Sequence, residues 1–151
     1  MELIVGGVIH TSIPVVTNRH LSSAELLDSK TRKWAETGSM NVARRGHMAI
    51  LLPNGKVLVA GGSDGKGQDL TSAELYDPTT GQWTAAGSMH NPHPNEHLAL
   101  QPNGKALVCF GGEDGTPVYG HELYEPVTGA WTVIPKDQER SRAWLSPTNW
   151  R

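Results

Sequence analysis

SAELLDSKTRKWAETGSM (23–40) returns as SAELYDPTTGQWTAAGSM (72–89), and a degraded copy, GHELYEPVTGAWTVIP, begins at Gly120. The landmarks move together. Trp34, Trp83 and Trp131 stand 49 and 48 residues apart, the PNGK segments starting at Pro53 and Pro102 are 49 apart, and glycine pairs fall at 6/7, 61/62 and 111/112. A period of about fifty with strand-like content in every unit is the signature of a propeller blade. Such a scaffold carries enzymes and inert binding modules alike, so the repeat speaks to architecture more than to function.

Within the best-preserved unit, HMAILL (47–52) is an apolar run that stops at PNG and resumes as KVLVAGG (56–62). Two apolar runs joined by Asn-Gly predict a hairpin with a type I′ turn, which needs positive φ at both central residues. Asn103-Gly104 repeats the device. A polar, glycine-rich loop follows, then AELYD (73–77), the turn PTTG and QWTAA (82–86). Pro78 pre-sets φ in that turn and Gly81 is free to enter the left-handed region. Each unit is therefore expected to be four antiparallel strands. One such sheet cannot cover both of its faces, so neighbours must stack with aromatic side chains between them. Leu27, Tyr76 and Tyr124 each lie seven residues before their tryptophan, at one place in the third strand, and are read with Trp34, Trp83 and Trp131 as core between blades.

These residues resemble the kelch repeat. The likeness rests on the double glycine after the second strand (Gly61-Gly62, Gly111-Gly112), the aromatic of the third (Tyr76, Tyr124) and the tryptophan of the fourth (Trp34, Trp83, Trp131). RGHMAILLPNGKVLVAGG is similar to the bacterial form of the motif, and the likeness covers nearly the whole chain. It implies an all-β fold of kelch-type β-propeller blades, about three in this chain, where kelch rings usually have six or seven. Leu27 departs from the pattern by standing where an aromatic belongs. A closed propeller needs about four to eight blades, so the chain is short of a ring.

The phase of the repeat gives the expected boundaries within a single domain, 1–151. Blades are placed at about 1–40, lacking a first strand, at 41–89 and at 90–135. The segment 136–151 carries AWLS followed by PTN, with Trp144 thirteen residues beyond Trp131 as His47 is thirteen beyond Trp34, and reads as a stray first strand. Three outcomes fit this phase: a fragment of a longer propeller, a compact three-blade monomer, or a homodimer whose twofold axis completes a six-bladed ring.

Composition narrows the class. A formal charge of −2 offers no basic excess for nucleic acid. Cys109 is the single cysteine, which excludes an intrachain disulfide, and its setting, ALVCF, reads as a buried strand. The N-terminal MELIVGGVIH lacks a basic n-region and its apolar run is broken by glycines, so no signal peptide is expected. No run approaches the roughly 20 apolar residues that span a bilayer. A cytoplasmic protein without nucleic-acid or membrane partners is the expectation.

Alternating strand direction sorts the loops onto two sides of the disc, tight PNGK and DPTTGQ turns on one, longer polar loops on the other. Longer loops on a rigid scaffold are where binding residues gather. The candidate ligand-binding residues are Arg44, Arg45, His47, Asp64, His93, Glu96, His97, Glu113 and Asp114. An arginine pair can hold a carboxylate or phosphate in forked geometry, or can bond loop carbonyls and a neighbouring blade's acid. HNPHPNEH (90–97) spaces three histidines like metal ligands, but Pro92 and Pro94 forbid the helix that would align them. With a one-residue deletion, His97 aligns with His47. No G-x-S-x-G elbow or phosphate loop is present, and a thiol in an apolar strand is a poor nucleophile.

No cofactor, metal or catalytic residue is expected. The function expected is a non-enzymatic scaffold binding a protein, peptide or glycan. The alternative is part or a reduced form of a kelch-type enzyme, galactose oxidase-like or sialic-acid-isomerising. For a copper radical oxidase the likeness would imply a Tyr–Cys cross-link and further tyrosine and histidine ligands. With Tyr76 and Tyr124 assigned to packing, that set cannot be assembled here.

Overall fold

A computed structural model describes residues 2–9, 19–28, 30–92, 96–110 and 121–135. Those residues form three antiparallel sheets and no helix. The first contains β1 (Glu2–Ile9), β2 (Arg19–Leu27) and β3 (Trp34–Thr37) in that order. The second is β4 (Met48–Leu51), β5 (Val57–Ala60), β6 (Ser72–Asp77) and β7 (Gln82–Ser88); the third is β8 (Glu96–Leu100), β9 (Ala106–Phe110), β10 (His121–Glu125) and β11 (Ala130–Ile134). By register, β1–β3 occupy the places of β5–β7, so β1 has no inner neighbour among the described residues. Residues 136–151, where a stray strand was expected, lie outside the described residues. No described helix is long and apolar enough to cross a membrane, which leaves strand-built spans unaddressed.

The PNG hairpins differ from the expected type I′ turn. Gly55 and Gly104 take positive φ, 81° and 83°, but neither Asn54 nor Asn103 does. Gly55 N–H donates to Leu52 O (3.0 Å) and Leu52 N–H to Lys56 O (2.8 Å), a type I turn with Pro53 at its second position, closed by a left-handed glycine. The extra loop residue follows from Pro53, whose fixed φ near −65° suits the second position of a type I turn and which lacks the N–H that a two-residue Asn-Gly loop would need to bond Lys56 O. Asn54 instead turns its Oδ1 to the Lys56 N–H (3.1 Å).

The seven-residue spacing now has a cause. Each pair lies directly opposite across the turn between a unit's last two strands: Leu27 faces Trp34, Tyr76 faces Trp83 and Tyr124 faces Trp131. The rings meet tilted, with centroids 5.1 Å apart for Tyr76–Trp83 and 5.0 Å for Tyr124–Trp131. Such pairs add about 0.5–1.5 kcal/mol beyond the area they bury. The turn itself ends on a left-handed glycine, Gly81 (φ 69°) or Gly129 (φ 72°), but the first unit places Arg32 there at φ 55°.

Strand alternation divides each sheet between two neighbours. Ala24, Leu26 and Met40 from the first unit pack on Val57, Val59, Tyr76 and Trp83 of the second. Leu58, Ala60, Ala73, Ala86 and Met89 then pack on Ala106, Val108, Tyr124 and Trp131 of the third. Both seams carry the same polar clamps. Trp83 Nε1 donates to Gly38 O (2.6 Å) and Trp131 Nε1 to Ala86 O (2.8 Å), each reaching back one unit. A Cβ at Gly38 would strike Gly81 O, and one at Gly87 would sit 3.3 Å from Trp131 Cδ1, so the repeated GSM glycine makes room for the next unit's turn.

Candidate binding face

The linkers between units are tied down by an acid of the sixth or tenth strand. Glu74, 2% exposed, accepts Asn41 N–H (2.7 Å), Asn41 Nδ2–H (2.8 Å) and Val42 N–H (3.1 Å). Glu122, fully buried, accepts the backbone N–H groups of His90 (2.9 Å) and Asn91 (3.1 Å) and contacts His90 Nδ1 (2.9 Å). Burial pushes the Glu74 carboxyl up, but the Asn41, Arg44 and Val42 donors outweigh it and hold the group below its ordinary 4.5. The sequence reading passed over these two acids. The signal was present: AEL, AEL and HEL place Glu25, Glu74 and Glu122 at one register of every copy, in strands that otherwise alternate.

Arg44 belongs to this framework. Its side chain is fully buried, with Nη1 donating to Gly61 O (2.8 Å) and Ser72 O (2.9 Å), and Nη2 to Ser72 Oγ (3.1 Å) and Glu74 Oε1 (3.0 Å). Gly61 and Ser72 are the two stems of the long loop, so Arg44 staples the loop's base from beneath. The expectation that it contacts a ligand is corrected here: a guanidinium sealed under the loop and paired with Glu74 is out of reach of solvent. Removing one partner of such a buried pair typically costs about 3–5 kcal/mol.

Arg45 lies on the opposite side of the backbone and is exposed. Its N–H donates to Ser63 O (3.1 Å), Ser63 N–H donates back to Arg45 O (2.9 Å), and its Nε donates to Ser63 Oγ (3.2 Å). Gly62 allows this approach, since a Cβ there would collide with Arg45 O and lie 2.9 Å from His47 N. Beyond Ser63 the loop is wound around Asp64, whose Oδ1 accepts Lys66 N–H (2.8 Å) and Gln68 N–H (2.9 Å). Arg45, Asp64 and His47 are thereby brought to one rim. His47 is half-buried with an Nδ1 that finds no hydrogen-bond partner, and burial followed by the Arg44 charge holds its pKa below the ordinary 6.5. It is therefore neutral at pH 7.

The other candidates fall in the third unit. His93, Glu113 and Asp114 lie outside the described residues, and for Glu96 and His97 only the strand backbone is described. That backbone corrects the alignment of His97 with His47. His97 pairs with Cys109 and Leu100 with Ala106, as Met48 pairs with Ala60 and Leu51 with Val57. The spacing is thus 49 across this hairpin, without a deletion, and Glu96 holds the place of His47. Of the three histidines in HNPHPNEH, His90 has a structural partner in Glu122. No cluster of three or more potential metal ligands occurs among the described residues.

The tight-turn side carries an ion pair in each complete unit. Lys56 Nζ lies 3.2 Å from Asp77 Oδ2, and Lys105 Nζ lies 2.9 Å from Glu125 Oε2. The Thr79 hydroxyl and N–H, with Lys56 after them, bring Asp77 down to about 2. A cavity of about 390 Å³ opens on the same side between the first and second units, lined by Leu26, Ala49, Ile50, Leu51, Val57 and Tyr76 among others.

Residues 44–90 match the family model described as the kelch motif. No curated protein matches the chain. Among solved structures, a fungal alcohol oxidase of the AA5 family, determined in complex with copper, is similar over 86% of this chain with a TM-score of 0.63 and 19% identity. The chain spans 27% of that protein's length, and at this identity the likeness is one of fold.

Proposed function

We propose that this chain, a kelch-repeat protein, is a non-enzymatic scaffold that binds an acidic peptide, protein segment or glycan along its longer-loop rim. The observation that carries the proposal is Arg45. It is exposed, yet its backbone is fixed by a two-way exchange with Ser63 and its Nε by Ser63 Oγ. A guanidinium pre-positioned in this way loses little freedom on meeting a carboxylate or sulfate, which favours charge-assisted, forked recognition. Arg44 contributes from below by holding the loop's stems.

Binding of Asp/Glu-rich peptides and of sialylated or sulfated glycans to the immobilised chain tests this. Arg45→Ala should weaken the retained ligand about tenfold or more, the scale of one charged hydrogen bond, with the melting temperature unchanged. Equal binding by the variant removes Arg45 from the site, and no binding to either ligand class overturns the reading. The enzyme alternative has its own signature: one equivalent of copper retained through purification and lost in His93→Ala or His97→Ala would displace the scaffold reading.

A further inference from the structure

The long loop of the second unit folds back on itself as a small hairpin, and its pairing fixes which side chains share a face. Arg45 and Ser63 exchange N–H···O bonds in both directions, 3.1 and 2.9 Å, which makes them a hydrogen-bonded antiparallel pair. Ser63 is bridged in turn to Asp69. The bonds beside that second pair run from Leu70 N–H to Gly62 O (2.7 Å) and from Asp64 N–H to Gln68 O (2.9 Å), so Ser63 and Asp69 are a non-hydrogen-bonded pair, the kind whose side chains lie closest. Residues directly opposite in an antiparallel pair project to the same face. Arg45, Ser63 and Asp69 therefore form one row of cation, hydroxyl and anion across about 10 Å of backbone, and the Arg45 Nε–H donated to Ser63 Oγ (3.2 Å) draws that side chain inward along it. Both ends of the row are exposed. No ion pair joins them, and among the described residues the Asp69 carboxylate has no partner.

The geometry points to an extended peptide carrying an acidic and a basic residue two positions apart as the ligand of this rim. The inference rests on Arg45 as a contact and adds Asp69 as the residue that sets specificity. A carboxylate on the ligand meets the guanidinium in forked geometry. A second carboxylate beside it would face Asp69, and like charges brought together oppose binding, whereas an ammonium there makes a second charge-assisted bond. Spacing selects the peptide form. Alternate residues of an extended strand project to the same side about 6.5–7 Å apart, which suits two charged groups at the ends of a row whose arginine leans toward its centre. Two further charges lie on the same loop. Asp64 Oδ1 is already taken by Lys66 N–H and Gln68 N–H, and Lys66 stands at the tip of the turn, outside the row. A ligand of acidic residues alone therefore uses one end of the row and is opposed by the other.

Fluorescein-labelled peptides of equal length, built from Glu-Ser-Lys-Ser, Glu-Ser-Glu-Ser or Lys-Ser-Lys-Ser repeats, test it by anisotropy titration against the whole chain at low ionic strength, where exposed charges are least screened. The mixed peptide should bind about tenfold or more tighter than either single-sign peptide, the scale of one charged hydrogen bond. Asp69→Asn should bring the Glu-only peptide to within about twofold of the mixed one, and Asp69→Lys should reverse their order. Asp69 is exposed, so the circular dichroism of both variants should match the wild type. If Asp69→Lys disturbs the loop, Asp69→Asn alone carries the test. A Glu-only peptide that binds the wild type as tightly as the mixed one overturns the inference, as does a preference that Asp69→Asn leaves in place, or a wild type that binds none of these peptides. Mixed-peptide binding lost in Arg45→Ala, with the preference unmoved by Asp69→Asn, sinks the charge row and leaves the Arg45 reading standing. Binding indifferent to Arg45→Ala removes both.

Discussion

The seam between the first and second sheets and the bare leading face of the first sheet are built from the same residue positions with opposite outcomes. At the seam, Trp83 is 9% exposed and hydrogen-bonded to Gly38, and Tyr76 is buried with its hydroxyl 2.7 Å from Thr37 Oγ1. On the bare face, Trp34 is 49% exposed across from Leu27. The same position is buried where a described sheet packs over it and half exposed where none of the described residues does. A kelch-type blade is thus a unit that stabilises its predecessor's linker and requires a successor in turn, which is how stacked repeats share their stability.

The largest test of that contrast is a pair of alanine substitutions. Trp83→Ala should cost about 3–5 kcal/mol, the range for removing a packed aromatic and leaving a cavity, and should lower the melting temperature accordingly. Trp34→Ala, measured in dilute protein, should stay within about 0.5 kcal/mol, as for surface positions away from special features. Equal losses at both sites would mean that Trp34 is already covered in the single chain.

Acid should separate the seam from the surface next. Glu74 titrates below its ordinary 4.5 when folded, so its stabilising contribution is fully present above that pH and is lost as pH falls through the lowered folded value. Asp77, on the surface, loses its contribution between its ordinary 3.8 and about 2. Urea titrations across this range should show stability falling with acid, and Glu74→Gln should make that slope shallower without abolishing it. A wild-type stability independent of pH below 4.5 would detach the clamp from folding.

The smallest expected effect concerns the first unit's departure from its own repeat. Arg32 occupies at φ 55° the turn position where Gly81 and Gly129 stand at 69° and 72°. A left-handed conformation costs a side-chain-bearing residue about 1–2 kcal/mol, partly offset by the greater unfolded freedom of glycine. Arg32→Gly should therefore raise stability by up to about 1 kcal/mol in a denaturant titration. A loss instead would show that the arginine side chain makes up for its backbone.

Much of this was legible before any coordinates. The Trp34/Trp83/Trp131 period, the paired glycines and the seven-residue spacing to Leu27, Tyr76 and Tyr124 follow from local pattern, because a strand pair joined by a tight turn puts fixed spacings opposite each other. Three features were misread, the first for a local reason and the other two because they depend on partners farther along the chain. Asn-Gly alone suggests a type I′ turn, but Pro53 before it and the Leu52–Lys56 pairing around it select the three-residue loop. His97 looks like a second His47 until pairing with Cys109 puts it in Met48's place. Arg44 and Arg45 are adjacent and chemically identical, yet Glu74 and the loop stems hold one beneath the loop while Ser63 holds the other at the rim.

The sequence by itself determined the repeat, the sheet-forming strands and the aromatic pairs within each blade, all of which arise from short-range spacing and turn chemistry. Only the tertiary structure decided which glutamates became clamps, which arginine stayed available and which tryptophan was left bare. Those outcomes turn on whether a neighbouring blade offers its backbone N–H and carbonyl groups, and residues some thirty to fifty positions away in the chain supply them.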